Sequence, residues 1–442
     1  MNVKNTITHP ILRGLFIVPL VVALGAGVVL VSPVLAQDDW ADWDESELPV
    51  EIHGFVEAAA GGRVVEDPAQ PDDLLLNEAR FRLDLAHYGD RAEFTFKGDF
   101  VADGILDETY VDIRRAAILL RWATWSDFTV GRQVLTWGTG DLLFLNDRFP
   151  KDFMSFFVGR DDEYLKAPSN SFKMTFYSSP ANLDFVWTPT FTPDDYITGE
   201  RLSFYDPFKP GRTSASELGG PIDADLPDKT WENGEFAARL FQNIGGYELA
   251  AYGHSGFWNM PTTIDTINMT LGFAELAVWG ASVRGNLLGG IANIEGAYYD
   301  SRDDRDGTKP FVPNSQVRGL AGYERELVSD LAAGIQYYAE WTQDYDSLLA
   351  SAPSSAFITE EVRHLLTLRL TQRLMQQTLT LSFFGYYSPN EEDGYVRAAV
   401  IRDWSDAVTI TVGANVMWGD EQTFFGQLAD NTNVYLRARY SF

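Results

Sequence analysis

The chain has 442 residues, 34 basic and 63 acidic side chains, a net charge of −29 and no cysteine. No disulfide staple and no thiolate metal site can be built from it, and so acidic a chain argues against nucleic acid as a partner, because phosphate binding needs a basic surface. The length suits two or three ordinary domains or one large barrel, and 12 Trp, 19 Tyr and 29 Phe make the composition aromatic.

Residues 1–36 read as a secretory signal peptide. Lys4 and Arg13 carry its only charges, an apolar run follows, and Val34 and Ala36 fit the small-residue pattern before cleavage at Gln37. Residues 37–49, containing "DDWADWDESELP", are acidic and without period, and read as a periplasmic leader. No later stretch is apolar for long enough to make a membrane-crossing helix.

From Val50 to Phe442 one unit repeats: ten to fourteen alternating residues, then a break. In "RAEFTFKGDF", Ala92, Phe94, Phe96 and Phe100 share one parity, while Arg91, Glu93, Thr95, Lys97 and Asp99 share the other. Successive side chains of a strand point to opposite faces, so each unit has an apolar face and a polar face. The same reading sets Val362, Leu366, Leu368 and Leu370 against Arg363, Thr367, Arg369 and Arg373, and Val412 and Val416 against Thr411 and Asn415. Strands are predicted near 50–60, 75–87, 91–102, 109–120, 126–136, 169–179, 181–190, 232–242 and 246–256. They continue near 272–285, 289–300, 315–327, 329–342, 361–373, 376–387, 394–403, 406–418 and 432–442, about eighteen in all.

The breaks alternate between short, as in "HYGDR", "SSPAN" and "RDWSDA", and long, near 61–74, 137–168, 191–231, 257–271, 301–314, 343–360 and 419–431. Strands of this length and number, with sorted connections, predict an all-β fold: a transmembrane antiparallel barrel over 50–442 with short periplasmic turns and long extracellular loops. That places the chain in the outer membrane of a Gram-negative bacterium, in contact with its lipids. An open edge in hydrocarbon would strand backbone amides, so the last strand is expected to pair with the first. The terminal Phe442, on the alternating strand "NVYLRARYSF", resembles the signal that such barrels present to their assembly machinery. Trp187, Trp258, Trp341, Trp418, Tyr386 and Tyr387 fall near strand ends and are expected in the interfacial girdles.

A barrel of this size encloses a water-filled lumen, so the inward parity is where function is expected. The cations it presents are Arg80, Arg82, Lys97, Arg114, Arg239, Arg363, Arg369, Arg397, Arg437 and Arg439, with Glu78, Asp84 and Asp99 among the interleaved acids. Two readings stand side by side: structural ion pairs across the lumen, or arginines that guide an anionic solute. The segment 130–169 leaves a strand and returns about thirty residues later, too long for an idle loop. It is expected to tuck into the lumen as a constriction or to cap the barrel outside. Its candidates are Arg148, Lys151, Arg160 and Lys166 with Asp141 and Asp147. The Pro-rich, acidic loop 191–231 reads as a surface feature.

The stretch "GRQVLTWGTGD", with "DRFP" soon after, resembles the strand-and-loop element of alginate-export-type outer-membrane proteins and of related barrels sharing "GRQ…WG". Gly131, Arg132, Gln133 and Gly138 are the residues that match. The resemblance implies an eighteen-stranded barrel with a basic pore for an anionic polysaccharide.

An enzyme is not expected. The mature chain keeps His53, His87, His254 and His364, none beside a serine in a recognisable triad context, and no metal-ligand spacing or cofactor motif occurs. The reading is a porin-like channel for a small or polymeric anionic solute such as a carboxylate or acidic saccharide. A scaffold, or a component of an export or lipid-transport assembly with a periplasmic partner, is the alternative, and a homo-oligomer is compatible with either.

Overall fold

Eighteen long strands, each joined to the next in chain order, close on themselves in the computed structural model, which describes residues 50–442 except 207–210, 266–269 and 353–357. The expected signal peptide and leader lie outside the described residues. The barrel strands are β1 (Glu51–Arg63), β2 (Leu74–Tyr88), β3 (Ala92–Asp103), β4 (Glu108–Ala123), β5 (Ser126–Val134), β6 (Pro168–Phe176), β7 (Asn182–Thr188), β8 (Glu235–Ile244) and β9 (Tyr247–Phe257). They continue as β10 (Glu275–Leu287), β11 (Gly290–Ser301), β12 (Gln316–Val328), β13 (Leu331–Thr342), β14 (Val362–Leu374), β15 (Leu379–Ser388), β16 (Asp393–Asp403), β17 (Val408–Trp418) and β18 (Asn433–Ser441). Every strand predicted from the alternation is present, with ends moved by a few residues.

Closure runs through β1 and β18, antiparallel, with Glu57 opposite Arg439 and Ala59 opposite Arg437. The backbones of Gly54 and Phe442 exchange both hydrogen bonds at 3.0 Å, so even the terminal residue is paired and no edge is left at this seam. The outer wall carries the apolar parity: Phe94, Phe100, Leu368, Val412, Val416, Val434 and Leu436 are exposed, whereas Thr367, Thr411, Asn415 and Arg437 are buried inside. One irregularity resets the parity. A bulge opposite Lys97 and Gly98 inserts Arg114 into β4, so Val111 and Ile113 face out before it and Ile118 and Leu120 after it.

At one end the connections are 89–91, 124–125, 177–181, 245–246, 288–289, 329–330, 375–378 and 404–407, all short. At the other they are long, except 104–107 and 389–392. By the rule that periplasmic turns are short, the first end is periplasmic. The aromatic girdle is only partly as expected: Trp341, Trp418 and Tyr387 lie on the outer wall, but Trp258 and Tyr386 are buried within the barrel. Tyr386 is on the inward parity of β15 and Trp258 sits just past the end of β9, so proximity to a strand end did not decide which way they point.

Candidate functional site

Gly131 and Gly138 launch the segment that fills the lumen. Gly131 has φ +130, and a Cβ there would strike the Ala116 carbonyl of the neighbouring strand. Gly138 has φ +79 and sits against the Glu295 carboxylate, where again a Cβ has no room. The chain therefore turns inward at this point. Of the two other matching residues, Arg132 is spent on the wall, its Nε donating to the Ile113 carbonyl at 2.5 Å, and Gln133 is buried on the inner side.

Residues 135–167 then run inside the barrel and not over it. Glu295 on β11 accepts from the Thr139 N–H (2.6 Å) and hydroxyl (2.8 Å), and from the Asn146 N–H and side-chain amide (both 2.9 Å). Asp141 is held by Arg369 on β14, whose Nη2 donates to it at 2.9 Å, and it exchanges two backbone hydrogen bonds of 2.8 Å with the Gln336 amide. The Tyr386 hydroxyl donates to the Leu142 carbonyl at 2.6 Å. These bonds hold Leu142 at φ +57, a conformation that an ordinary side chain adopts only under constraint. A short helix α1 (Phe153–Val158) follows, capped by Asp152, which accepts from the Ser155 N–H at 2.6 Å. Its Phe156 and Phe157 pack on Tyr395, and the Phe157 carbonyl accepts from Asn415 and Asn433 at 3.0 Å each.

The end of this segment meets the cationic wall. Glu57 stands between Arg80 and Arg439 in the ladder, so the closed seam brings the arginines of β2 and β18 together, and carboxylates partner them. Arg80 and Arg82 both hold Asp99, at 2.7 and 2.6 Å, and Arg82 also bonds Glu163 of the inner segment. Arg439 meets Glu57 at 2.8 Å and Asp161 at 3.2 Å, and Arg437 meets Asp161 at 3.1 Å. Arg397 pairs with Asp162 at 2.9 Å. Burial works to raise the Asp161 carboxyl, but Arg437 and Arg439 hold it below the ordinary carboxylate range. The remaining wall cations are paired as well: Lys97 with Asp84 (3.8 Å), Arg114 with Asp112 (3.7 Å), Arg239 with Glu248 (2.5 Å) and Arg363 with Glu391 (3.1 Å).

Of the inner segment's own cations, Arg160 forks onto Glu78 at 3.0 and 3.1 Å, and Lys151 reaches Asp147 at 3.0 Å. Lys166 donates to the Thr136 hydroxyl at 2.8 Å. Arg148, like Lys166, has no carboxylate within ion-pair reach among the described residues; it donates to the Asn259 side-chain oxygen at 2.5 Å.

Sequence reasoning missed three participants. Tyr164 of the inner segment lies 4.3 Å beneath the Arg80 guanidinium and 5.0 Å from that of Arg114, and its hydroxyl donates to Asp99 at 2.5 Å. Glu295 has one visible signal, a lone acid on the inward parity of an otherwise uncharged stretch. Arg201 comes from the loop expected at the surface. It is buried, bonds Asp103 and donates to the Leu75 carbonyl at 3.1 Å. That loop enters the barrel mouth: Asp195 and Lys151 pair through their backbones (2.8 Å), Leu202 and Ser203 are fully buried, and the Ser203 N–H donates to Asn431 at 3.1 Å. The apolar cluster Leu202, Phe204, Tyr205 in an acidic loop was the readable hint.

The inner segment divides the lumen. A chamber of about 950 Å³ on the short-turn side is lined by Thr139, Gly140 and Asp141 with Arg369 and Gln336. One of about 580 Å³ on the long-loop side is lined by Leu142, Leu143 and Phe144 with Trp258, Tyr386 and Phe425. The boundary falls between adjacent residues, Asp141 and Leu142.

No family model and no curated protein matches the sequence. Solved structures do match. OccK11 (OpdR) of Pseudomonas aeruginosa aligns over 89% of this chain and 96% of its own, at 11% identity and a TM-score of 0.51. OccAB4 of Acinetobacter baumannii aligns over 90% and 100%, at 10% identity and 0.51. The fold is that of the outer-membrane barrel porins. OccAB1 of A. baumannii adds the same result at 8% identity over 89% of this chain, with a TM-score of 0.51. At such identities what is shared is the architecture, and the side chains of the lumen described above are this porin-type barrel's own.

Proposed function

We propose that the chain is a passive outer-membrane channel for an anionic solute, with residues 135–167 forming its constriction. The observation that carries this reading is the two-chamber lumen. A barrel built only as a scaffold has no need of cavities of about 950 and 580 Å³ meeting at one thin shelf. The inclination to anions rests on Arg148 of the upper chamber, which has no carboxylate within ion-pair reach among the described residues, while Lys151, Arg318 and Arg363 are held by Asp147, Glu340 and Glu391. In a narrow space of low dielectric an uncompensated cation raises the local anion concentration. The resemblance of "GRQVLTWGTGD" to alginate-export-type proteins points the same way. The arginines of β2 and β18 contribute less than their number suggests, since each already holds a carboxylate, and selectivity is therefore modest.

The reversal potential in a KCl gradient across a planar bilayer tests it. A weakly anion-selective current is expected. No current would remove the channel reading, and a cation-selective current would remove the anionic solute while leaving the channel.

A further inference from the structure

The strip 192–197, at the start of the loop that enters the barrel mouth, separates two cavities. Asp194, Tyr196 and Ile197 line the upper chamber. Thr192, Pro193 and Asp195 line a third cavity of about 270 Å³, between the inner segment and β4. Extended chain gives this division, because its successive side chains point to opposite sides. One short ladder fastens the strip to the inner segment. The Asp195 N–H donates to the Lys151 carbonyl at 2.8 Å, and the Phe153 N–H donates to the Asp195 carbonyl at 3.2 Å.

That ladder sets Asp195 opposite Asp152, and both side chains line the third cavity. Like charges directly opposite one another on paired strands repel. The cations around the cavity are engaged elsewhere. Arg80 holds Asp99 at 2.7 Å, Arg114 lies 3.7 Å from Asp112, and Lys151 turns to Asp147 at 3.0 Å. Arg132 donates to the Ile113 carbonyl, and Arg160 forks onto Glu78 and comes only within 3.9 Å of Asp152. The other titratable groups near Asp195 are Asp112, Asp194 and the phenols Tyr110 and Tyr164, none of them a cation. Asp152 has the Ser155 N–H and hydroxyl as donors. The Asp195 carboxylate receives no hydrogen bond and no ion pair among the described residues. Burial, with the Asp152 charge beside it, pushes the Asp195 carboxyl up to about 7. Burial raises Asp152 as well, against the pull of Arg160. One proton between the two carboxyls removes the repulsion and gives the pair its missing donor.

We infer that residues 192–197 are a proton-latched partition: a proton shared by Asp152 and Asp195 keeps the strip shut, and its loss frees the strip and joins the third cavity to the upper chamber. The joined space exceeds the upper chamber alone by roughly half. The strip lies at the long-loop end, so acidity outside the cell sets its state. The inference rests on the channel reading for its consequence, but the latch is measured without current. The shut strip holds a proton that the freed strip releases. Its stabilisation is complete below the ordinary aspartate value, near 3.9, and is lost as pH rises through about 7.

Hydrogen exchange of residues 192–197 is read with the full barrel in lipid nanodiscs. Beyond the intrinsic rate it should climb by about tenfold per pH unit between about pH 5 and 7, then level off. Asp195→Asn keeps the backbone ladder and cannot ionise, so its exchange should stay slow and flat over that interval. In planar bilayers the conductance of the unaltered barrel should grow over the same interval, while that of Asp195→Asn stays at the acid value. An exchange rate with no climb beyond the intrinsic one would overturn the inference. So would an Asp195→Asn barrel, still heat-modifiable and therefore folded, that keeps the climb. Should planar bilayers show no current while exchange follows pH through Asp195, the latch stands and the channel reading falls.

Discussion

Asn146 donates both its backbone N–H and its side-chain amide to one carboxylate oxygen of Glu295, at 2.9 Å each. With the two bonds from Thr139, this single buried carboxylate accepts four of the hydrogen bonds that hold the turn of the inner segment. Glu295→Ala would leave four donors short of an acceptor, a loss of about 1–3 kcal/mol for each donor that water fails to reach. A lowered melting temperature and larger fluctuations of the single-channel current are expected. A current trace as quiet as that of the unaltered protein would mean that the segment is held elsewhere.

The second expectation concerns the charged seam. Glu78 is buried and hydrogen-bonded to Arg160, which is itself mostly shielded, with the buried Arg80 and Arg201 close by. Removing one member of such a set leaves the others uncompensated, which typically costs about 3–5 kcal/mol. Arg160→Ala should therefore destabilise far more than Arg369→Ala, whose half-exposed pair with Asp141 is worth less than about 1 kcal/mol. Unfolding temperatures of the two variants, read by loss of heat-modifiability on gels, decide the order.

Acidity offers a third handle. Burial pushes the Asp194 carboxyl above the ordinary carboxylate range, against the pull of Lys151, and Asp194 fastens the Lys151 N–H at 2.7 Å across the junction of the two long loops. The folded protein thus holds a proton that the unfolded chain has released. This stabilisation is complete below the ordinary aspartate value, near 3.9, and is lost as pH rises through the higher folded value. Hydrogen exchange of residues 147–153 should accelerate as pH rises above about 4, beyond the intrinsic rate. Asp194→Asn, which keeps the acceptor but does not titrate, should flatten that dependence, and an unchanged slope would exclude Asp194 as its source.

Assembly gives the fourth. The Phe442 ring stacks on Phe81 with centroids 6.1 Å apart, and its backbone closes the β1–β18 seam. Phe442→Ala should reduce the yield of folded barrel in membranes and Phe442→Trp should restore it. Equal yields for all three would divorce the terminal aromatic from assembly.

Strand number, order and closure were legible because a period of two over eighteen segments is a strong signal, and because hydrocarbon admits no open edge. The bulge at Arg114 was not, since one inserted residue inside "VDIRRAAILL" leaves the composition unchanged while flipping the parity. At the site, the cations were legible as residues and their ion pairs were not. The partners of Arg397, Arg437 and Arg439 are Asp161 and Asp162, more than 200 residues away, and only the inward path of 135–167 brings them together. Trp258 and Tyr386 read as girdle residues in the sequence because an aromatic near a strand end looks the same whether it faces lipid or lumen.

Asp141 faces one chamber and Leu142 the other, so the shelf between them borders both. The chain has no cysteine, so a single Thr139→Cys substitution places one thiol on the shelf, facing the lower chamber, and Leu368→Cys places one on the outer wall as a control. A charged methanethiosulfonate added on the short-turn side should lower the single-channel current of Thr139→Cys in steps and leave that of Leu368→Cys unchanged. A Thr139→Cys barrel that mass spectrometry finds fully labelled, yet whose current is unaltered, would contradict the claim that the inner segment borders the conducting path.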